Sequence, residues 1–357
     1  MIPSLPDLIL RPGECSASEL QPLTAVLKSA GLTRRRLKKL DAIVQVREQR
    51  RDRKPEKAYS ARPFVLCGIP VRRPAKHALE YSRQNGRFRL RVIGHPDYGL
   101  PFGQDRLLLI WIATMAVWQR TREVRFRSAA ILEAFDLPKD GRYYKRLIAG
   151  FERIFYSTFF FTSDQQVGEA TVMERQSFRF VKNARLWYAE PSPSEPTHAS
   201  QARTENVIVL SEEFWNEIQE HPIPVDLAVV KALADSPGNL DLYVWLVWRC
   251  WTAKGPVTVP LFGHEGLISQ LGNSANLRER DFRRQIVQWL KVIRQLWPEC
   301  PANVIESGAS LRVRPSKSIP RFSTASCEFR SGDHVTEFAQ KYVIQFALIR
   351  DRVRGDT

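Results

Sequence analysis

The chain has 357 residues and a formal charge of +16, from 54 Lys and Arg against 38 Asp and Glu. This length predicts about two domains with extensions, and 43% hydrophobic with 26% charged residues argues against wholesale disorder, a collagen-like repeat or a disulfide-stapled miniprotein. The basic excess makes a polyanion the expected partner, either nucleic acid or an acidic membrane surface.

Apolar segments and cysteines indicate the compartment. A membrane-spanning helix needs about 20 mainly apolar residues, and no such segment occurs. The first ten residues lack a cationic segment ahead of a long apolar one, so no secretory signal is expected. We expect a cytoplasmic protein with free thiols, because the cysteines are odd in number and include no C-x-x-C pair. They are Cys15, Cys67, Cys250, Cys300 and Cys327.

The N-terminal region, residues 1–95, is predicted to be a basic arm that is partly helical or disordered. Residues 28–62 hold thirteen basic and four acidic side chains, a net of +9. Apolar residues at helical spacing predict a basic amphipathic helix over 33–53, with Thr33 as its N-cap and Pro55 as its stop. The alternative is a solvated, partly disordered charge run.

A regular order of elements begins near residue 104. The pattern predicts an apolar helix, a short strand, a short helix capped by Ser128, a turn, a second helix with one apolar face, and a hairpin around Gly168. The ranges are 105–119, 123–126, 129–135, 136–141, 142–156, and 157–162 with 176–188. This order is typical of a winged helix.

The same order returns about 135 residues later. An apolar helix, a short strand, a short helix, a turn, a long helix with a basic outer side and a closing hairpin follow one another. The ranges are 241–252, 256–261, 264–271, 272–274, 275–297, and 303–306 with 310–314. Self-similarity of this kind indicates a repeated plan.

These patterns predict an α+β fold of two tandem winged-helix domains, helix-turn-helix plus β-hairpin wing, behind a basic N-terminal arm. The first domain spans 96–222 and includes a polar, Pro-rich loop at 190–206, and the strand at 207–211 is expected to return to its sheet. The second domain spans 223–357 and ends in an amphipathic helix at 333–353.

No constellation of residues points to catalysis. The sequence has no phosphate-cradling G-x-x-x-x-G-K-[ST] loop, no H-x-H, no H-E-x-x-H and no G-x-S-x-G. His264-Glu265 is the nearest approach to a site, and a histidine at a helix start is more often a surface or capping residue. We therefore expect no enzyme, no cofactor and no metal.

Both second helices are basic, which indicates duplex DNA. A helix-turn-helix inserts its second helix in the major groove, where Arg reads guanine and Asn reads adenine. The helices carry +3 (counting Arg153 and Glu152) and +4, and the predicted wing adds three basic residues. The DNA-binding residues predicted on this basis are Arg142, Tyr143, Lys145, Arg146, Asn276, Arg278, Arg280, Arg283, Arg284, Arg312, Arg314 and Lys317.

Two alternatives apply to individual side chains. Any one arginine can instead be a solvated partner of a nearby acid, as Arg283 would be with Glu279 at i,i+4 spacing. The tryptophans can stack on single strands, although their helical spacing favours core packing. They are Trp111, Trp118, Trp245, Trp248, Trp251, Trp289 and Trp297.

Four stretches resemble plasmid-encoded RepA-type replication initiators. The first is Tyr-Gly-Leu-Pro-Phe-Gly-Gln-Asp-Arg at 98–106, which runs into 107–113, and the others are 211–215, 221–226 and 234–245. The resemblance covers roughly residues 80–315. It implies a bacterial plasmid protein of two winged-helix domains that binds repeated sites (iterons) at its origin, helps to open the duplex and draws in the host initiator and the replicative helicase. It also implies monomers on DNA and homodimers that repress, as in copy control.

The alternative function is a winged-helix transcriptional regulator or a partition-type DNA-binding protein, since one fold supports all of these. Several protected direct repeats beside an A·T-rich stretch would favour initiation, whereas one palindrome in a promoter would count against it. Among enzymes, only a primase or a nuclease stays open, and metal-dependent cleavage or primer synthesis would reveal it.

Overall fold

The computed structural model describes residues 34–51, 56–75, 77–167, 170–186, 205–263, 265–272, 277–305 and 308–316, without the side chains of 34–40, 50–51 and 164–176. The fold is α+β, as predicted. Several predicted features lie outside the described residues. They are Thr33, Pro55, Gly168, most of the polar loop, His264, Asn276, Lys317, the C-terminal helix, Cys15 and Cys327.

The predicted basic helix is present as α1, Arg34–Arg51. Its apolar side buries Ile43 and Val46, and it packs against α7 (Leu227–Ala232) and α10 (Glu279–Leu296).

Residues 56–95 lie in the folded core, which differs from the predicted arm. They form β1 (Lys57–Ala61), α2 (Arg62–Cys67), β2 (Glu80–Asn85) and β3 (Phe88–Ile93). The physical reason is alternation: Leu90 and Val92 are fully buried, while Arg89 before them and Arg91 between them face outward. Because of this alternation, β3 is a half-buried strand although the region has a high net charge. The boundary at 95/96 stays a prediction.

The first repeated unit follows the predicted order. Its elements are α3 (Asp105–Gln119), β4 (Glu123–Phe126), α4 (Ser128–Ala134), α5 (Gly141–Phe155), β7 (Val181–Arg185) and β8 (Asn206–Leu210). The three strands form a sheet in the order β4-β8-β7, so the last strand lies between the other two. The predicted return of residues 207–211 to this sheet is confirmed. The predicted Ser128 cap is wrong, because the helix begins at Ser128 with Arg127 as its N-cap; the Ser128 hydroxyl accepts from Asn206 Nδ2 (3.1 Å).

A long hairpin is inserted between α5 and β7. It consists of β5 (Thr158–Val167) and β6 (Ala170–Arg179), which pair with β2 and β3 in a sheet of order β2-β3-β5-β6. The hairpin predicted from 157–162 and 176–188 therefore does not close the unit. The second run bends at the buried Phe180 and divides into β6 and β7, which join different sheets.

The second unit repeats the order of elements and of strands. It contains α8 (Pro237–Thr252), β10 (Val257–Pro260), α9 (Leu267–Leu271), α10, β11 (Ala302–Ile305) and β12 (Ser310–Val313), with the sheet order β10-β12-β11. Helix α8 begins four residues before the prediction because Pro237 is tolerated in a first helical turn, and α10 begins at Glu279 rather than 275.

The remaining elements connect the two units. Helix α6 (Glu212–Glu220) leads to β9 (Pro222–Asp226), which pairs antiparallel with β1. The predicted boundary at 222/223 falls at the start of β9 and stays a prediction. Arg62 of α2 forms two hydrogen bonds of 2.9 and 2.8 Å with the Glu217 carboxylate of α6. Burial raises the pKa of Glu217, and the Arg62 guanidinium opposes this rise.

The Gln-Asp-Arg end of the first motif is the junction between the units. Asp105 accepts two hydrogen bonds from Arg153 of α5 (2.7 and 2.8 Å), and Arg106 donates two to Asp241 of α8 (2.7 and 2.9 Å). Gly150 of α5 has no room for a side chain, since a Cβ would lie 2.8 Å from an Asp105 oxygen. The motif therefore fixes α5 and α8 against α3.

Two further features concern the helices and the cysteines. Within the described ranges, no helix combines the length and the apolarity needed to cross a bilayer. The described cysteines, Cys67, Cys250 and Cys300, are free thiols, as predicted, and are buried. Burial raises the pKa of Cys67 and of Cys250 to about 12, which keeps these thiols protonated and unreactive.

Candidate nucleic-acid interface

Helix α10 presents a basic stripe to solvent. Phe282, Ile286 and Leu290 are buried at helical spacing, which turns the opposite side outward. Arg280 and Arg284 are 73% and 68% exposed, and Val287 and Lys291 continue the exposed side. We call Arg280, Arg284, Val287 and Lys291 the α10 stripe.

Asp281 is only a weak ion-pair partner of the two arginines in the α10 stripe. Arg280 Nε and Arg284 Nη1 each lie 3.9 Å from Asp281 Oδ1. Exposed pairs of this length contribute about 0 to 1 kcal/mol to stability. Both guanidinium groups can therefore exchange this partner for a phosphate or a guanine edge at small cost.

Arg283 is engaged inside the protein, unlike the arginines on either side of it. Its Nε donates to the carbonyl of Gly308 (3.0 Å), and its guanidinium lies 5.4 Å from the centre of the Phe262 ring. Gly308 has a φ of +91°, which favours glycine at this turn. Arg283 thus holds the β11–β12 turn against α10, and its partner is the Gly308 carbonyl rather than Glu279.

We expect Arg283→Ala to lower the free energy of unfolding by about 1–2 kcal/mol, because a charge-assisted hydrogen bond and a cation–π contact are lost. Urea denaturation would measure this. Arg284→Ala is the matched control and should change stability by less than about 0.5 kcal/mol. Equal stability of the two variants would contradict the role given to Arg283.

The start of α5 forms a second basic surface. Asp140 caps the helix by accepting from the Tyr143 backbone N–H (2.9 Å), and Arg142, Lys145 and Arg146 are exposed in the first two turns. The Arg146 guanidinium lies 5.3 Å from the centre of the Tyr143 ring. Arg153, which contributes to the predicted +3, is instead bound by Asp105. The three exposed cations and Tyr143 are the α5 cluster.

Of the predicted wing residues, the structure describes Arg312 and Arg314. Arg312 is exposed on β12 and Arg314 is exposed just after it. Arg278 is the N-cap of α10 and is exposed. The structure thus brings Arg278, Arg280 and Arg284 onto one helix, and it does not describe Asn276 or Lys317.

Three polar residues on β7 were missed from the sequence. Lys182, Asn183 and Arg185 are exposed on this strand, which takes the same position in its sheet as β11 takes in the second unit. The run Val-Lys-Asn-Ala-Arg at 181–185 could have identified them, but the prediction assigned these residues to the second strand of the hairpin.

The tryptophans belong mainly to the core. The prediction of core packing is confirmed for Trp111, Trp245, Trp289 and Trp297, which are buried. Trp118 and Trp248 are half-buried against the core, and Trp251 is exposed. In the described part of the chain, no group of three His, Cys, Asp or Glu side chains is placed to hold a metal ion.

Residues 144–256 match the family model RepA_C, described as "Plasmid encoded RepA protein". The match runs from within α5 to just beyond α8, and it confirms the resemblance to this family. No curated protein matches the chain.

Two crystal structures of domains 2 and 3 of RctB are similar to the chain. One, of selenomethionine derivatives, has 14% identity and a TM-score of 0.43, covering 69% of this chain and 93% of that one. The other has 12% identity and a TM-score of 0.44, covering 70% of this chain and 94% of that one.

Proposed function

We propose, from the RepA family match over residues 144–256 and the two exposed basic helix surfaces, that the chain is a plasmid replication initiator that binds repeated duplex sites at its origin. The observation that carries the proposal is the repetition: a basic second helix stands at the same place in two units with the same strand order. The proposed setting is the bacterial cytoplasm, and the proposed action needs no catalytic site.

Both units are interpreted as winged helices. In each, a short helix and a longer basic helix follow the first strand, and the final strand lies between the other two. In this interpretation α5 and α10 enter successive major grooves, where an arginine reads guanine and a positive surface neutralises phosphate. Lys182 and Arg185 on β7, and Arg312 on β12, would then contact the backbone.

The proposal includes origin opening and recruitment of the host initiator and helicase, which the family resemblance implies. A homodimer that represses is part of the same expectation. Permanganate reactivity of thymines beside the bound repeats would test opening directly. Binding to repeats without any permanganate signal, in the presence of host initiator, would favour the regulator or partition alternative.

The α5 cluster should contribute a phosphate contact. We expect Lys145→Ala to weaken binding to all duplexes alike and to reduce the slope of log K against log salt by about 0.9, the value for one released counterion. Titrations by fluorescence anisotropy at several salt concentrations would measure the slope. Lys57→Ala, on β1 and outside both helices, is the control. Equal slopes for wild type and Lys145→Ala would contradict the contact.

Val287 should read a thymine methyl group. It is 46% exposed between Arg284 and Lys291 on the α10 stripe, and valine contacts thymine in the major groove through its methyl groups. We expect replacement of one thymine by uracil in the repeat to weaken wild-type binding about fourfold, the value of one buried methyl group. Val287→Ala should not distinguish the two bases. If no thymine shows this pattern, the contact is absent.

A further inference from the structure

The β2-β3-β5-β6 sheet has one buried face and one exposed face. Phe159, Phe161 and Phe178 are buried on the inner face together with Leu90 and Val92. Because side chains alternate along a strand, the residues between them point outward. The inner face thus belongs to the core, and the outer face has no covering element among the described residues.

The strand register places arginines and an aromatic ring together on the outer face. Arg91 pairs with Phe160, and Phe160 pairs with Ser177. In the next row Ile93 pairs with Thr158, which pairs with Arg179. Phe160 is half-buried and has no ring partner among the described residues.

A partly exposed aromatic cluster lies beside one end of β3 and β5. The rings of Tyr98 and Tyr156 stack with centres 4.5 Å apart and planes at 20°, and His95 lies 5.4 and 5.5 Å from them. Tyr156 is 54% exposed. The cluster adjoins the row described above, since His95 follows Ile93 by two residues and Tyr156 precedes Thr158 by two. We call Phe160, Tyr98, Tyr156, Arg89, Arg91 and Arg179 the sheet platform.

Arginines make the sheet part of the platform positive, while Asp97, whose Oδ2 lies 3.6 Å from His95 Nδ1, is an acidic neighbour of the tyrosines. Arg89 and Arg179 are exposed, and Arg179 has no partner in the described part of the chain. Arg91 pairs with Glu80 (2.8 Å), with both side chains about half exposed, so this pair is weak in water. The outward-facing side chains of β2, β3 and β5 form three rows across the strands, and Glu80 is the one acidic residue in these rows.

The chemistry of this face suits single-stranded nucleic acid. Exposed rings stack on bases while nearby arginines contact the backbone, and this combination binds single strands with little sequence preference. Duplex DNA keeps its base faces inside the stack and offers only groove edges and phosphates, so the exposed rings would have no partner there. An acidic protein would use the arginines but leave the stacked tyrosines unexplained.

The geometry points to the sheet platform as a binding site for single-stranded DNA, separate from the α5 and α10 surfaces. This inference rests on the proposed function, because an initiator that opens its origin has an unpaired strand within reach. The platform would hold that strand while the two helices remain on the duplex repeats.

The test uses the full chain and fluorescein-labelled oligothymidylate, with oligouridylate of the same length as the RNA arm. Phe160→Leu keeps apolar volume on the sheet and removes the ring, and Tyr156→Ala removes an exposed ring. We expect each to weaken oligothymidylate binding roughly 5- to 100-fold, while binding to the duplex repeats is unchanged. Circular dichroism and sedimentation would confirm the same fold and oligomeric state.

The double variant Arg280→Ala, Arg284→Ala is the converse control and should keep wild-type affinity for oligothymidylate. The inference is overturned if wild type does not bind the single strand, if the ring variants bind it as wild type does, or if they change only the oligomeric state. Tighter binding of oligouridylate would overturn the assignment to DNA. If duplex binding is absent while oligothymidylate binding depends on the rings, the proposed function fails and the platform stands.

Discussion

Arg280→Ala combined with Arg284→Ala is expected to abolish specific binding to the repeats while leaving the protein folded. Each arginine that reads a guanine is worth about 1–3 kcal/mol, so the pair accounts for about 2–6 kcal/mol, or roughly a 30-fold loss at the least. Both side chains are more than two-thirds exposed, and their ion-pair partner among the described residues is Asp281 at 3.9 Å. Stability should therefore change little.

Competition titration against a scrambled duplex separates specific from general binding. The double variant should retain most of its weak affinity for scrambled DNA and lose its preference for the repeats. Arg72→Ala is the matched control, since Arg72 is exposed in the loop before β2 and belongs to neither helix. An undiminished preference in the double variant would show that α10 is not the recognition helix.

Arg106→Ala should be the most destabilising of the substitutions considered. The side chain is 5% exposed, and its guanidinium donates two hydrogen bonds to Asp241 and one to the carbonyl of Ile69 (2.9 Å). Its removal leaves a buried carboxylate without its partner, which costs about 3–5 kcal/mol. That is a large share of the roughly 5–15 kcal/mol by which folded proteins are stable.

The pH dependence distinguishes loss of charge pairing from loss of packing. Burial raises the pKa of Asp241, and Arg106 opposes this rise. Without Arg106, the pKa of Asp241 in the folded state moves higher, so folding takes up a proton and stability falls as pH rises through that pKa. Urea denaturation of Arg106→Ala should show a penalty that shrinks as pH falls. A penalty independent of pH would indicate lost packing instead.

A paired replacement provides the control for this experiment. Arg106→Met together with Asp241→Leu removes both charges, and such replacements are often near neutral. The double variant should be more stable than Arg106→Ala alone. If it is equally unstable, the carbonyl contacts of Arg106 account for the loss rather than the ion pair.

The order of helices and strands was predictable because it depends on local patterns. Apolar residues at helical spacing identified α3, α5, α8 and α10, and turns rich in Gly, Asn and Asp separated them. Strand pairing is not local. Nothing in residues 176–188 shows that β6 joins β5 while β7 joins β8, because the division depends on a bend at Phe180.

The candidate site was predictable as a set of helices and less so as a set of side chains. Arg280, Arg283 and Arg284 look alike in the sequence, yet only the structure shows that Arg283 bonds to the Gly308 carbonyl. Arg153 is similarly indistinguishable from Arg146 until Asp105 is found beside it. Which arginines are available to DNA is decided by long-range contacts that composition does not encode.

The central claim, that two equivalent basic helices read repeated duplex sites, is tested most directly by guanine methylation interference on plasmid DNA that carries this reading frame and its flanks. We predict interference at N7 of guanines in two successive major grooves, about 10 bp apart, in each of several direct repeats beside an A·T-rich stretch, and loss of this pattern in the Arg280, Arg284 double variant. A single protected palindrome whose pattern is the same in wild type and variant would contradict the claim.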